Sequence, residues 1–311
     1  MKKNILYMAL VAFVAFANVA CSSDDESEEN YTPTLNTPKY ENEAVAFTIS
    51  PTANISTNVA NAPAMTGVNI TESGQVVFEL DGGKTFKTYN IASISGDTYT
   101  LADNRGTIRK VTAAVRTRGS STVQLIINVT IELENGQPCN YNTGDDGVNA
   151  EETTPPAGST VESYLCRTWT ILGVTIEYQE DGKEAVFREF DNGNLKEVAD
   201  YANEQGAGLT DSELEELNRN ISTVVVDKNG LILINYTNRP GDAAKWSWAN
   251  SEQTRLKIQL KDSEMGNKFL SDKTTIDIAF KDTRCVLKLK SRITGTTNYN
   301  VALALLLQSK D

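Results

Sequence analysis

The sequence predicts an all-β protein of two domains. Apolar residues occupy every second position from Val123 to Leu133, which is the period of a half-buried strand. Short apolar runs recur along most of the chain, separated by turns rich in glycine, asparagine and aspartate. Only two segments, both in the second half, have a helical pattern. We therefore expect an N-terminal β-sandwich or small barrel and a C-terminal antiparallel β-barrel with two short helices.

The first residues have the pattern of a secretory signal peptide. Met1–Asn4 contains two lysines, and the apolar run Ile5–Ala20 ends in small residues directly before Cys21. A transmembrane anchor would need about 20 apolar residues, more than this run provides. A cytoplasmic chain with a buried first helix is the other alternative. We expect removal of residues 1–20 and a polar tether over residues 21–40.

This segment resembles a bacterial lipoprotein signal of the signal-peptidase-II type. The matching box is Asn18-Val19-Ala20-Cys21, in which Asn18 stands where the family prefers leucine. The resemblance implies that Cys21 carries an acyl anchor, palmitate included, whose partner is the lipid bilayer. The acidic run Ser22–Glu29 resembles the surface-export signal of Bacteroidota lipoproteins, which implies an outer-membrane protein exposed at the cell surface. The same run also fits a solvated tether, because like charges repel.

Composition restricts the chemistry of the protein. The 311 residues include no histidine, which excludes histidine-based triads, Cys–His dyads and imidazole metal ligands. The formal net charge of −12 opposes binding to nucleic-acid phosphates. We predict a protein that is not an enzyme, with no catalytic residues, no metal site, no cofactor and no nucleic-acid partner. A glycoside hydrolase that uses two carboxylates is the enzymatic alternative, but the sequence singles out no pair.

The first β-domain is predicted over residues 41–142. Its Asp81–Thr85 run is similar to the end of a phosphate-binding loop, but a strand rather than a helix follows, so we expect a hairpin turn. A basic segment fits either a solvated strand face or a site for an acidic glycan; it comprises Arg105, Arg109, Lys110, Arg116 and Arg118. Residues 143–159 are rich in glycine, proline, threonine and acids, which predicts an interdomain linker.

The second domain is predicted over residues 160–311. It contains eight or nine strand patterns, a number that fits a closed up-and-down barrel. Leu195, Val198, Ala199 and Ala202 share one face of the first predicted helix, and a capping box, Thr210-Asp211-Ser212-Glu213, begins the second.

Beyond Cys21 the chain has three cysteines, Cys139, Cys166 and Cys285. Cys285 is in phase with Leu287 and Leu289, which predicts a core position. A Cys166–Cys285 disulfide is compatible with export, but sequence does not fix connectivity.

The start of the second domain resembles lipocalin-like domains of Bacteroidota lipoproteins. Those domains begin with Leu-x-Gly-x-Trp, and here Leu165 and Trp169 match while Arg167 replaces the glycine. The resemblance implies that Trp169 closes one end of the barrel and is structural. It also implies binding of small apolar or amphipathic ligands.

Two tryptophans are candidates for ligand contact. Trp246 and Trp248 are two residues apart, so in a strand both side chains face one side. They either fill the barrel core or, with Tyr236, stack against a sugar ring or a lipid. We expect non-catalytic binding of a small amphipathic ligand or a glycan by a membrane-anchored lipoprotein. The alternative is a structural or adhesive surface protein that acts through protein–protein contacts.

Overall fold

The computed structural model describes residues 35, 42–111, 116–117, 120–154, 160–204, 210–238, 241–259, 275–293 and 299–310. One compact unit is formed by Lys39–Gly158 and a second by most of Ser159–Asp311. The predicted signal peptide and Cys21 lie outside the described residues. Leu35 is the one described residue of the predicted tether. It is 8% exposed and belongs to the core of the second unit, so the chain at this position is packed rather than solvated.

The described part of the first unit is a sheet of eleven strands with one short 3₁₀-helix, Ala102–Asn104. The strands are β1 (Val45–Ile49), β2 (Ser56–Thr57), β3 (Met65–Ile70), β4 (Gln75–Leu80), β5 (Thr85–Ser95), β6 (Thr98–Leu101), β7 (Gly106–Val111), β8 (Arg116–Thr117), β9 (Ser120–Glu132), β10 (Pro138–Asn142) and β11 (Val148–Thr153).

Eight of these strands close into an antiparallel barrel, which decides between the two predicted architectures in favour of the barrel. The circuit runs β11-β1-β3-β4-β5-β6-β7-β9 and returns to β11. The long strand β9 pairs with β7 along one edge. Along its other edge it pairs first with β11 and then with β10. The core is formed by the inward side chains of these strands, Phe78, Leu125 and Ile127 among them.

The predicted linker over residues 143–159 is wrong for its central part. Val148–Thr153 is strand β11, and it closes the first barrel by pairing with both β1 and β9. Val148 and Ala150 are buried while Asn149 and Glu151 are exposed. The alternation is short and its outer face is acidic, so composition alone indicated a linker. Residues 155–159 lie outside the described residues.

The described part of the second unit contains nine strands and three short helices. The helices are α1 (Thr160–Leu165), α2 (Leu195–Glu204) and α3 (Asp211–Glu216). The strands are β12 (Thr168–Glu180), β13 (Val186–Phe190), β14 (Ile221–Asp227), β15 (Leu231–Tyr236), β16 (Asp242–Trp248), β17 (Arg255–Gln259), β18 (Thr275–Lys281), β19 (Arg284–Ile293) and β20 (Tyr299–Ser309).

Eight strands of this unit form a closed up-and-down barrel, as predicted. β14 to β20 neighbour one another in chain order, and β12 pairs with both β14 and β20. The two predicted helices are present, and α1 precedes them. The apolar face of α2 packs into the barrel core through Leu195, Val198 and Ala202. Cys285 is fully buried beside Leu287 and Leu289 in the same core, as its phase predicted.

Strand β13 lies outside the barrel circuit because β12 divides one edge between two partners. Thr168–Thr170 pairs with β14, whereas Val174–Tyr178 pairs with β13. Between these segments β12 has an irregularity at Ile171/Gly173. A Cβ atom on Gly173 would lie 2.5 Å from the carbonyl oxygen of Phe190, so only glycine permits this close approach.

Trp169 and Arg167 tie α1 to the first and last strands of the second barrel. Trp169 is fully buried, and its Nε1 donates to the carbonyl oxygen of Leu165 at 3.0 Å. Arg167 is 1% exposed, and its guanidinium lies 5.5 Å from the centre of the Trp169 ring. Its Nε donates to the carbonyl oxygen of Tyr164 at 2.7 Å and its Nη1 to Ser309 Oγ at 3.1 Å. These contacts fit the structural role expected of Trp169.

Replacement of Arg167 should destabilise the second barrel strongly. Arg167→Leu would remove the donor to the Tyr164 carbonyl oxygen and to the buried Ser309 hydroxyl, and we expect a loss of about 2–4 kcal/mol in the free energy of unfolding. Chemical denaturation followed by tryptophan fluorescence measures this loss. The matched control is Arg255→Leu, because the side chain of Arg255 is 57% exposed and its ion pair with Asp277 lies at the surface. The control should cost less than about 1 kcal/mol. Equal losses in the two variants would contradict the structural role of Arg167.

Candidate functional site

A groove of about 280 Å³ lies on the outer surface of the second barrel. Its lining comes from five adjacent strands, β13, β12, β20, β19 and β18. On β20 the lining residues Ala302, Ala304 and Leu306 alternate with the core residues Leu303, Leu305 and Leu307. The groove therefore lies on the opposite face of the sheet from the barrel interior. Its volume is close to the lower end of the range for small-molecule sites, about 300 Å³.

Small side chains form the floor of the groove. Ala304 on β20 lies between Thr175 on β12 and Lys288 on β19, and Ala304 is 3% exposed. Ala302 lies between Glu177 and Lys290 in the same way. Because alanine extends no further than its methyl group, the longer side chains of the neighbouring strands stand above it as walls. The result is a trough with an apolar floor and polar sides.

The two walls carry opposite charge. Glu177 and Glu189 belong to the wall formed by β12 and β13, and Lys288 and Lys290 belong to the wall formed by β19. Lys288 Nζ lies 3.5 Å from Glu177 Oε2.

Beside this pair, Lys290 Nζ lies 3.1 Å from Asp277 Oδ2, and Asp277 also pairs with Arg255 at 2.9 Å. Glu189 has no ion-pair partner among the residues that the structure describes. Glu189 is thus the one carboxylate of the groove lining that forms no ion pair with a described residue.

An aromatic side chain borders the groove on the side of β13. Phe187 is 60% exposed, more than any other large hydrophobic residue in the described ranges. Residues 186–189 are all exposed, so β13 is in contact with solvent on both faces. Phe187 and Glu189 point to the same face of β13 because they are two residues apart. The face that they share is the one that lines the groove.

The structure brings together Trp246 and Trp248 but not Tyr236. The two indole rings pack edge to face with centroids 5.3 Å apart, and Trp246 is 7% exposed within the barrel core. Tyr236 belongs to the opposite end of this hairpin, because Ile234 pairs with Asp242 and the tryptophans are at the far end of β16. Asp242–Trp248 spans roughly 20 Å at the usual rise of a strand. None of the three residues lines the groove.

Tyr236 takes part in a polar cluster with Arg219 and Asp242. Its hydroxyl donates to Asp242 Oδ2 at 2.9 Å, and Arg219 Nη1 donates to the same oxygen at 2.5 Å. Burial raises the pKa of Tyr236 above its ordinary value, and the Asp242 carboxylate adds to this effect. Tyr236 is therefore a neutral hydrogen-bond donor at neutral pH, and this cluster joins the start of β14 to the β15–β16 loop.

The basic segment of the first barrel is at least partly neutralised by acids. Lys110 Nζ lies 3.0 Å from Glu152 Oε1, and Arg105 Nη2 lies 3.5 Å from Glu132 Oε2. Arg118 lies outside the described residues, as does the side chain of Arg116. These pairs favour the solvated strand face over the glycan site.

The other sequence motifs have structural explanations. Asp81–Gly83 forms the turn of the β4–β5 hairpin, as predicted. Within the described ranges, no group of three or more histidine, cysteine, aspartate or glutamate residues is arranged to hold a metal ion. The same ranges contain no helix that is long and apolar enough to cross a membrane.

Comparisons with known proteins assign no family. No protein-family model matches the chain, and no curated protein matches it. Among solved structures, the chain is similar to that of a candidate outer membrane protein from Bacteroides fragilis. The two are 8% identical with a TM-score of 0.21, and the match covers 86% of this chain and 97% of the other. A similarity at this level does not establish a common fold or function.

Sequence reasoning missed the groove. The signal was present on β20, where alanines 302 and 304 alternate with leucines on the core face. Two alanines on the outer face of a strand can be identified as the floor of a groove only when the neighbouring strands are known. That knowledge requires the pairing of β12 and β19 with β20, which local sequence does not supply.

The cysteines of the described residues should be unreactive in the native protein. Cys139, Cys166 and Cys285 are buried thiols, and none forms a disulfide. Burial raises the pKa of Cys139 and Cys285, which disfavours the reactive thiolate. In a Cys21→Ser variant, Ellman's reagent should label no thiol rapidly under native conditions and three in guanidinium chloride. Only one labelled thiol after denaturation would reveal a disulfide and contradict the structure.

Proposed function

We propose that this protein is a lipid-anchored outer-membrane protein, exposed at the cell surface, that binds a small amphipathic molecule or a glycan without catalysing a reaction. The groove on the second, lipocalin-like barrel is the binding site in this proposal. The observation that carries it is the combination of an apolar floor at Ala302, Ala304 and Leu306 with charged walls. An amphipathic ligand buries its apolar part on such a floor and keeps its polar part at the walls.

The geometry favours binding over catalysis. Two of the carboxylates that line the groove, Glu177 and Asp277, form ion pairs with lysines. In these pairs each carboxylate is already in contact with a lysine ammonium group. The buried thiols lie in the barrel cores and are not among the residues that line the groove.

The anchor at Cys21 is tested by metabolic labelling. In cells given alkyne-palmitate, the full chain should become labelled and sediment with membranes, and Cys21→Ser should lose both properties. Cys139→Ser is the matched control and should keep both, because Cys139 is in the core of the first barrel. Digestion of intact cells by an external protease tests surface exposure. Label that persists in Cys21→Ser would contradict the anchor.

The groove is tested with the neutral fluorophore N-phenyl-1-naphthylamine. The protein should enhance its fluorescence, and Ala304→Leu should weaken binding at least tenfold because the larger side chain fills the floor. Ala302→Leu is a second filling variant, and Thr170→Leu is the control because Thr170 is exposed on β12 outside the groove. Thermal unfolding confirms that each variant is folded. Equal binding by all variants would exclude the groove and favour the structural or adhesive alternative.

A further inference from the structure

We infer that the groove selects an amphipathic cation, with an ammonium group held by Glu189 and Phe187 and an aliphatic part on the alanine floor. This inference rests on the proposed function and names the chemical class of its ligand. It starts from the distribution of charge along the two walls. Glu177 is paired with Lys288, and Asp277 is paired with Lys290 and with Arg255. Glu189 is the remaining charged residue that lines the groove.

Glu189 and Phe187 together offer the two contacts that an ammonium group requires. A carboxylate attracts the charge directly, and the face of an aromatic ring attracts a cation within about 6 Å of its centre. Both side chains leave the same face of β13 at neighbouring positions, and both are exposed, so no side chain has to move away for a ligand to enter. Adjacent same-face positions on a strand are about 7 Å apart, which allows one ammonium group to contact both.

The floor next to this pair suits an unbranched apolar chain. Glu189 pairs with Thr175, and Thr175 pairs with Ala304, so the carboxylate and the floor lie in one row across three strands. Phe187, Glu177 and Ala302 form the adjacent row. An apolar chain on the two alanines would start beside the ammonium group and end at Leu306 or Val286. The net charge of −12 on the whole chain also draws cations to the protein.

The lysine wall attracts an anionic head group less than its charge suggests. Lys288 and Lys290 are already in contact with carboxylates, so a sulfate or carboxylate head would have to compete with Glu177 and Asp277. A cationic head competes with no such pair at Glu189. The difference predicts preference for the cation over an anion with the same tail.

The test compares three probes with a ten-carbon tail below their micelle concentrations. Isothermal titration of the full chain would use decyltrimethylammonium, decyl sulfate and decyl maltoside. Decyltrimethylammonium should bind most tightly of the three. Glu189→Gln should lower the affinity for decyltrimethylammonium about three- to tenfold and change the affinity for decyl maltoside less than twofold. Phe187→Leu should likewise lower the affinity for decyltrimethylammonium more than the affinity for decyl maltoside. Glu184→Gln is the matched control, because Glu184 is exposed just before β13 and does not line the groove.

The outcomes separate the inference from the proposed function. If decyl sulfate binds as tightly as the cation, or if Glu189→Gln has no effect, selection of a cation is wrong. In that case loss of all three probes in Ala304→Leu would still support an amphiphile-binding groove. If no probe binds, or if Ala304→Leu binds all three as well as the unaltered chain does, the groove itself is excluded and the proposed function fails with it.

Discussion

The divided edge of β12 is the constraint on which the second unit depends. One strand of thirteen residues pairs with β20 along its length and shares its other edge between β14 and β13. The pairing with β14 and β20 closes the barrel, and the pairing with β13 places a strand outside it. Gly173 makes this possible because any side chain there would meet the backbone of Phe190. The first unit has the same pairing pattern, since one edge of β9 pairs with β11 over part of its length and with β10 over the rest.

The groove follows from this closure. A simple closed barrel is convex on its outer face, and a convex face offers no trough. Because β13 extends the outer face beyond the circuit, Phe187 and Glu189 stand as a wall beside β12 and β20. Alanines on β20 keep the floor low, and lysines on β19 complete the opposite wall. Closure of the barrel and formation of the groove are thus consequences of one pairing pattern.

Several reactive and ionisable side chains of the described residues are buried or paired, both in the cores and at the groove. The interior thiols are buried, and Tyr236 is held protonated by burial. Two carboxylates of the groove, Glu177 and Asp277, form ion pairs with neighbouring lysines. These polar groups therefore hold elements together or carry charge at the surface. Groups of this kind support the proposed binding function.

Local pattern in the chain is enough to predict the all-β class, the two helices and the core phase of residues such as Cys285, because a period of two residues fixes which face of a strand is apolar. The absence of histidine from the sequence likewise excludes histidine-based catalysis and imidazole metal ligands. Strand pairing, in contrast, is needed to see that Val148–Thr153 closes the first barrel and that Trp246 and Tyr236 lie far apart. It alone brought together Thr175, Glu189, Lys288 and Ala304 in one groove. The physical reason is that local pattern fixes the face of each residue but not the identity of the neighbouring strand.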